Sequence, residues 1–265
     1  MSFQSTSLLK SLPESLSVHC VRSGTSKPFS QIVSSAEAKA NTIGRTSSKD
    51  SQRVVVAIKD PIACLEYLFA VWVAGHCAVL VNPKITPNER ERVAAKTAAS
   101  LWIDDDGIAK CPQNALDHLP LENAALILMT SGTTGDPKGV THSLATLEER
   151  LQANIAAIGP DALDQTLCTL PLFFGHGLIG NCLTALYAGK TVHLWQDIQL
   201  PELPTFGSVL DEHQITFFSS VPSFWRMILP MSDKPQHSPQ RVHIGSATLS
   251  QKLWRDVADW CGTEN

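Results

Sequence analysis

The chain has 265 residues, of which 43% are hydrophobic and 17% are charged, and its formal net charge is −4 at pH 7. This length and hydrophobic content allow a substantial buried core, which excludes an intrinsically disordered protein. The negative net charge and the lack of basic clusters argue against a broad nucleic-acid-binding surface.

Seven cysteines are spread along the chain without a CxxC spacing, which argues against a zinc ribbon and against a thiol redox motif. We therefore expect reduced thiols and a cytoplasmic protein. The N-terminal segment lacks the apolar core of a signal peptide. The longest apolar stretch, 62–81, contains Glu66 and is interrupted by Gly75 and His76, so it predicts a buried helix and a strand rather than a membrane span.

The first part of the chain alternates between strand and helix patterns. Residues 54–58 form a β-branched run that predicts a strand buried on both faces. Asp60 and Pro61 supply the cap and the first-turn proline of a helix that extends to about residue 74. The elements predicted next are a strand at 77–81, a helix that starts at the capping box 86–89, and a strand at 101–103.

Residues 104–121 are polar and turn-rich, and we interpret them as an excursion between two strand–helix groups, at about 1–121 and 122–265. The second group has predicted strands at 124–129, 166–170, 191–194, 216–218 and 242–244. Its predicted helices cover 143–158, 178–187, 203–214 and 223–229, and a last one follows Ser250. The alternation predicts an α/β fold with mostly parallel sheets flanked by helices.

The most informative segment is 130–140, with the sequence TSGTTGDPKGV, which follows a predicted buried strand. Its glycines allow close backbone approach to an anion, its N–H groups can form an anion nest, and Lys138 adds a mobile positive charge. The spacing fits neither a P-loop nor the GxGxxG fingerprint. From these residues alone, the alternative is a polar turn between a strand and a helix.

This loop resembles the glycine-rich phosphate loop of the adenylate-forming (ANL) superfamily, which includes acyl- and aryl-CoA synthetases, luciferases and the adenylation domains of peptide synthetases. Further segments resemble motifs of the same superfamily in the same order. Residues 74–83 resemble its upstream AG-x6-NP segment, 171–177 resemble Pro-Leu-Phe-His-x-x-Gly, and 244–250 resemble Gly-Gly-Ala-Pro-Leu-Ser. The resemblance therefore spans most of the chain.

The resemblance implies an AMP-forming acid–thiol ligase. Such an enzyme joins a small carboxylic acid to ATP, releases pyrophosphate, and passes the acyl group to the thiol of CoA or of the phosphopantetheine on an acyl-carrier protein. The residues implied to hold the β- and γ-phosphates with Mg²⁺ are Thr130, Ser131, Gly132, Thr133, Thr134, Gly135 and Lys138. Of these, Thr133 and Lys138 are the catalytic candidates, because they would stabilise charge that moves onto pyrophosphate.

Three residues are candidates for binding the acid. Phe174 lies where many superfamily members have a histidine or another aromatic beside the acyl pocket, and His176 and Gly177 follow it. The alternatives are core packing for Phe174 and a structural role for His176. Members that activate α-amino acids usually have an aspartate directly after this aromatic, whereas this chain has Gly175. We therefore hypothesise an acyl or aryl acid without an α-amino group.

Gly245, Ser246 and Ala247 follow a predicted strand, at the edge where open α/β sheets bind ligands. By resemblance this turn lies along the adenosine and the acyl group, although Thr248 replaces the common proline. The alternative is an ordinary strand–helix turn. No metal ligands are assigned, because the aspartates at 104–106 are typical of a solvated turn.

By this resemblance, residues 1–265 correspond to an incomplete N-terminal AMP-binding domain. The Tyr-Gly-x-Thr-Glu motif, the later ribose-binding aspartate and the C-terminal lid domain with its catalytic lysine are absent; Cys261–Glu264 only superficially resembles the first of these. We therefore expect little adenylation activity from this chain alone. One alternative is a naturally shortened, non-catalytic relative that binds a nucleotide or a partner protein. Another is an unrelated nucleotide-binding kinase, against which the loop spacing argues.

Overall fold

The computed structural model describes residues 16–46, 52–112, 123–130 and 138–263. The chain divides into two compact units. The first unit includes Pro28–Glu149 and Leu172–Phe174, and the second comprises Ser15–Lys27, Arg150–Pro171 and Gly175–Asn265. The strands form two six-stranded sheets, one in each unit, and helices flank them as an α/β fold requires.

The strands of the described residues, in chain order, are β1 (Ser17–Cys20), β2 (Thr25–Pro28), β3 (Arg53–Ala57), β4 (Cys77–Leu80), β5 (Leu101–Asp104), β6 (Gly107–Lys110), β7 (Ala124–Thr130), β8 (Lys138–Ser143), β9 (Gln165–Cys168), β10 (Thr191–Leu194), β11 (Phe217–Ser220) and β12 (Arg241–Ile244).

The α-helices are Phe29–Thr46, Pro61–Val73, Pro87–Thr97, Leu144–Ile158, Phe206–Glu212, Pro222–Ile228 and Gln251–Cys261. A further helical stretch, which we call the segmented helix, joins α-helical Gly175–Gly177, π-helical Leu178–Leu183 and α-helical Thr184–Tyr187. Turns of 3₁₀-helix cover Asp161–Leu163 and Leu200–Thr205.

The sheet of the first unit has the strand order β6-β5-β3-β4-β7-β8. Its four inner strands, β5, β3, β4 and β7, run parallel to one another, and all residues of β3 are buried, as its β-branched run predicts. The edge strands β6 and β8 pair antiparallel with β5 and β7. Neither edge strand was predicted, because both are largely exposed and lack hydrophobic alternation.

The division into sheets differs from the division predicted along the chain. The phosphate loop was predicted to belong with residues 122–265, but β7 pairs with β4, so the strands on both sides of the loop lie in the sheet of the first unit. Conversely, β1 pairs with β10 and belongs to the sheet of the second unit. The difference arises because the prediction grouped contiguous segments, whereas strand pairing joins segments that are distant along the chain.

Two predicted helix starts are confirmed. The side chain of Asp60 accepts a hydrogen bond from the backbone N–H of Ala63 at 2.7 Å, at the start of helix Pro61–Val73. The Thr86 hydroxyl and the Glu89 carboxylate form a reciprocal capping box at the start of helix Pro87–Thr97.

The sheet of the second unit has the order β12-β11-β9-β10-β1-β2, and its first five strands run parallel. Its core is aromatic and is centred on Phe206, which is fully buried. The Phe206 ring contacts the rings of Phe218, Trp225 and Trp260 with centroid distances of 5.6, 6.2 and 5.8 Å. These contacts hold the last three helices against the sheet.

All seven cysteines are free, and six of them are buried. Burial raises the pKa of the Cys64, Cys77, Cys168 and Cys261 thiols to about 12, so these side chains stay protonated and unreactive near neutral pH. Within the ranges that the structure describes, no helix has the length and apolar character needed to span a membrane.

Helices Phe29–Thr46 and Pro61–Val73 pack together and share a buried ion pair. The Lys39 ammonium lies 2.7 Å from the Glu66 carboxylate, whose side chain is only 3% exposed. Lys39 also donates to the Ser35 hydroxyl and lies over the Tyr67 ring. Since removing a carboxylate from water is costly, the Lys39 cation stabilises the fold by compensating part of this cost.

We predict that Lys39→Met lowers the free energy of unfolding by about 2–3 kcal/mol, because the buried Glu66 carboxylate loses the Lys39 ammonium. The double variant K39M/E66L should recover most of this loss. Urea denaturation measures both effects. Lys59→Met is the matched control, because its ion pair with Asp105 is exposed and should contribute less than about 0.5 kcal/mol. Equal effects of K39M and K59M would contradict the prediction.

Candidate functional site

The phosphate loop connects two antiparallel strands. Thr130 at the end of β7 pairs with Lys138 at the start of β8, and the Thr130 hydroxyl donates a hydrogen bond to the Lys138 carbonyl at 3.2 Å. A Cβ on Gly139 would lie 3.0 Å from the Ile127 side chain, so the hairpin is tight at this point. The loop is therefore closed by a β-hairpin, and helix Leu144–Ile158 begins only after β8.

The structure describes the two ends of this loop. Thr130 and Lys138 lie in the described residues, whereas Ser131, Gly132, Thr133, Thr134 and Gly135 lie outside them. Lys138 is exposed, and its ammonium forms no ion pair within the described part of the chain. Among the described residues it is therefore a positive charge without a carboxylate partner, next to a segment rich in glycine and hydroxyl groups, which suits an anion.

Phe174 belongs to the first unit and is 51% exposed. Its ring packs against that of Phe173 with a centroid distance of 4.6 Å. Core packing, the alternative raised by the sequence, therefore does not describe this side chain. The exposed ring is available to border a ligand, and its role in binding the acid stays a prediction.

His176 lies in the first turn of the segmented helix, in the second unit. Its Nδ1 is 2.8 Å from the hydroxyl of Ser246, and its Nε2 is 2.5 Å from the hydroxyl of Ser219. Burial lowers the pKa of His176, so the ring is neutral near pH 7, with one nitrogen donating and the other accepting. The fold thus brings together two predicted site residues that are 70 positions apart in the chain.

Ser219 was missed by the sequence analysis. It lies near the carboxyl end of β11, its side chain is buried, and its carbonyl accepts a hydrogen bond from the Asn181 amide at 3.3 Å. Asn181 is fully buried in the π-helical part of the segmented helix. The π-helix is rare in proteins overall, but where it occurs it is often found near functional sites. The only local signal was the change from phenylalanines to serines at the end of β11.

Position 177 requires glycine because there is no room for a side chain, not because of its backbone conformation. Its φ is −70°, which any residue adopts, but a Cβ would lie 2.5 Å from the carbonyl oxygens of both Leu170 and Pro171. Its own carbonyl accepts a hydrogen bond from the Cys168 thiol. The structure therefore gives Gly177 a packing role beside His176, and its contact with a substrate stays a prediction.

The turn Gly245–Ala247 follows β12, as predicted. The Gly245 N–H donates to the Ser220 carbonyl at 3.0 Å, which continues the pairing of β11 and β12 into the turn. Ser246 has a φ of 64°, in the left-handed region that favours glycine. Ser246 and Ala247 are both exposed, so the turn presents its backbone at the carboxyl edge of the sheet.

A cavity of about 460 Å³ lies beside this turn. Its lining includes His176, Ser219, His243, Gly245 and Trp254. Burial, and secondarily Arg241 and His176, lower the pKa of His243, and burial lowers the pKa of His176, so both cavity histidines are neutral near pH 7. In the residues described, no group of three or more histidine, cysteine or carboxylate side chains is arranged to hold a metal ion.

Residues 104–265 match the family described as "AMP-binding enzyme". This match includes the phosphate loop, the segment 171–177 and the turn Gly245–Ala247.

Curated relatives include several ligases and synthetases. The Humulus lupulus protein named Probable CoA ligase CCL8 is 33% identical over 165 residues, covering 52% of this chain and 27% of that protein. The 2-succinylbenzoate–CoA ligase of Bacillus pumilus is 26% identical over 237 residues, covering 82% of this chain and 48% of that protein. Pyochelin synthetase PchF of Pseudomonas aeruginosa is 26% identical over 249 residues, covering 88% of this chain and 13% of that protein. The chain therefore spans less than half the length of each relative.

Solved structures with a similar fold include O-succinylbenzoate Coenzyme A Synthetase (MenE) from Bacillus subtilis in complex with AMP. Its TM-score is 0.79 at 19% identity, covering 95% of this chain and 69% of that chain. ATP-bound MatB from Rhodopseudomonas palustris has a TM-score of 0.77 at 18% identity, covering 99% of this chain and 58% of that chain. At these identities the likeness establishes the α/β fold.

We predict that Gly177→Ala destabilises the protein by about 1–3 kcal/mol, because the added methyl group overlaps two backbone carbonyls that cannot easily move. Gly180→Ala is the matched control in the same helical stretch. Its Cβ would lie 3.5 Å from the His176 ring, an ordinary contact, and alanine should leave stability unchanged or raise it by up to about 1 kcal/mol. Thermal denaturation compares the two variants, and equal midpoints would refute the steric explanation.

Proposed function

Since the chain belongs to the AMP-binding enzyme family, we propose that the protein activates a carboxylic acid with ATP and passes the acyl group to the thiol of CoA or of a carrier protein's phosphopantetheine. The observation that carries this proposal is the family match, which includes every segment predicted to contact ATP or the acid. The CoA ligases and the synthetase among the relatives support it.

The proposed reaction has two steps. An oxygen of the carboxylate attacks the α-phosphorus of ATP, the bond from that phosphorus to the bridging oxygen breaks, and pyrophosphate leaves with the electron pair. The acceptor thiolate then attacks the acyl carbon, and AMP leaves with the electrons of the acyl–oxygen bond. The thiol proton passes to solvent, and no atom changes its oxidation state.

The hairpin provides the groups for the first step. Negative charge grows on pyrophosphate as it leaves, and donors that are already oriented stabilise this charge without reorganisation. We assign the β- and γ-phosphates to the loop between Thr130 and Lys138, with Lys138 as the mobile cation and Thr133 as a hydroxyl donor. The hydrogen bond from Thr130 to the Lys138 carbonyl keeps the two ends of the loop together.

Magnesium fits this site as an ion that accompanies the nucleotide. When bound, Mg²⁺ neutralises phosphate charge, and it commonly binds through phosphate oxygens and water rather than through a cage of protein groups. The loop offers hydroxyls and one lysine, and the described residues contain no carboxylate cluster that could hold the ion by itself. The protein residues therefore bind and orient the phosphates.

The adenosine and the acyl group are assigned to the turn Gly245–Ala247. Its position at the carboxyl edge of a parallel sheet supports this assignment, because ligands of open α/β sheets bind at that edge. The acid is assigned to the neighbourhood of Phe174, where Gly175 occupies the place of the aspartate that holds an ammonium group in amino-acid-activating members. The proposed substrate class is therefore an acyl or aryl acid without an α-amino group.

In the longest native polypeptide that contains this chain, we predict that Lys138→Met lowers kcat/KM for ATP–pyrophosphate exchange by about 10²–10³-fold, because the leaving pyrophosphate loses a cation. The variant should fold normally, since Lys138 is exposed and unpaired within the described residues. Lys110→Met is the matched control, because Lys110 is an exposed strand residue in the same sheet and should leave exchange unchanged. Exchange in K138M within about twofold of the unsubstituted protein would contradict the assigned role.

The chain spans about half the length, or less, of the curated relatives that it matches, so the activity is proposed for the longest native polypeptide that contains it. We expect the chain alone to show little exchange. The competing function, nucleotide or partner binding without catalysis, predicts that the long polypeptide binds ATP but exchanges no pyrophosphate with any acid.

We also predict the class of acid. Pyrophosphate exchange by the long polypeptide should be stimulated by aliphatic or aromatic carboxylic acids and not by the corresponding α-amino acids, because no carboxylate follows Phe174 to compensate an ammonium charge. Matched pairs such as 3-phenylpropanoate and phenylalanine differ in that group alone. Exchange that requires the amino acid of each pair would refute the proposed substrate class.

A further inference from the structure

Ser246 has a backbone conformation that a serine rarely adopts. Its φ of 64° lies in the left-handed region, where a Cβ is crowded and glycine is favoured. The motif that residues 244–250 resemble has glycine at this position. Ser246 is exposed, so burial of its own side chain does not compensate the unfavourable conformation.

The Ser246 side chain contacts His176. The Ser246 hydroxyl and the His176 Nδ1 are 2.8 Å apart, a normal hydrogen-bond distance. The far side of the ring is held by the buried Ser219 hydroxyl at 2.5 Å from Nε2. Ser219 in turn lies on β11, directly beside β12, which leads into the turn. The ring is therefore anchored in the sheet on one side and holds the turn on the other.

The same geometry limits what His176 can do for a substrate. Both ring nitrogens are already occupied by hydroxyl groups of the protein. A direct contact with the acid, as the sequence predicted, would require the ring to release Ser246 or Ser219. The structure favours a ring that acts on the turn rather than on the ligand.

We propose that His176 is a positioning residue that holds Ser246 in its left-handed conformation and so orients the turn Gly245–Ala247. The pair of His176 and Ser246 takes the place of the glycine in the family motif. This inference rests on the proposed function in one respect, namely that the adenosine and the acyl group bind along this turn.

A glycine at position 246 distinguishes the positioning role of His176 from direct contact with the acid, because glycine adopts the left-handed conformation without support. His176→Phe keeps a ring of similar size but removes both nitrogens, and Ser246→Ala keeps the Cβ but removes the hydroxyl. Each should lower kcat/KM for exchange by about five- to tenfold, the value of one hydrogen bond, and H176F/S246A should lose no more than either single variant. Ser246→Gly serves as the reference background, because glycine adopts this conformation without help, and the effect of H176F in that background is measured relative to S246G itself.

The decisive variant is H176F/S246G. If His176 acts through Ser246, glycine makes the histidine unnecessary, and exchange should return to within about twofold of S246G. If His176 contacts the acid directly, the double variant stays as slow as H176F with a raised KM for the acid, which would overturn the positioning role.

A second measurement does not depend on catalysis. Thermal unfolding of this chain should show a midpoint lowered by about 2–5 °C in H176F and in S246A. H176F should lower the midpoint less in the S246G background than in the presence of Ser246, because only the loss of the Ser219 contact remains there. Additive effects of H176F and S246A would overturn the proposal whether or not exchange is seen. Absence of exchange with every acid in the unsubstituted long polypeptide would contradict the proposed function, while the coupling in unfolding would still decide the role of His176.

Discussion

The parallel pairing of β11 with β9 on one side and β12 on the other is the constraint on which the site of the second unit depends. Because the three strands run in the same direction and in register, their carboxyl ends meet at one edge of the sheet. The chain that follows β9 leads to His176, and the chain that follows β12 leads to Ser246. Their contact follows from strand pairing and would not exist in either segment alone.

The aromatic core keeps this edge in place. Phe206 contacts rings from β11 and from two helices, and such contacts combine a large buried area with specific edge-to-face geometry. A polar atom of this core also forms a hydrogen bond with the strand. The Trp225 N–H donates to the Ser220 hydroxyl at 2.8 Å, directly beside Ser219 in β11. The two serines at the end of β11 thus each have a side-chain partner, Trp225 for Ser220 and His176 for Ser219.

The parts of the fold that could be predicted are those with a strong local signal. The buried run of β3, the cap at Asp60 and the capping box at Thr86 each follow from residues within one turn or one strand. The strands β6 and β8 gave no such signal, because most of their residues face solvent and their pairing depends on a neighbour from elsewhere in the chain. Likewise, the sequence identified the phosphate loop by its glycines, hydroxyls and lysine, but its closure by a hairpin emerged only from the pairing of β7 with β8.

By itself, the sequence determined the α/β class and the family, because hydrophobic runs, caps and the phosphate-loop string are local properties of the chain. It also marked His176 and Ser246 as site residues, each within its own motif. Only the tertiary structure decided that the two residues contact each other, that Ser219 supports the ring, and that Gly177 is required by the backbone of Leu170 and Pro171. The physical reason is that these contacts join segments from different strands, and no periodicity within one segment specifies which distant segment it will meet.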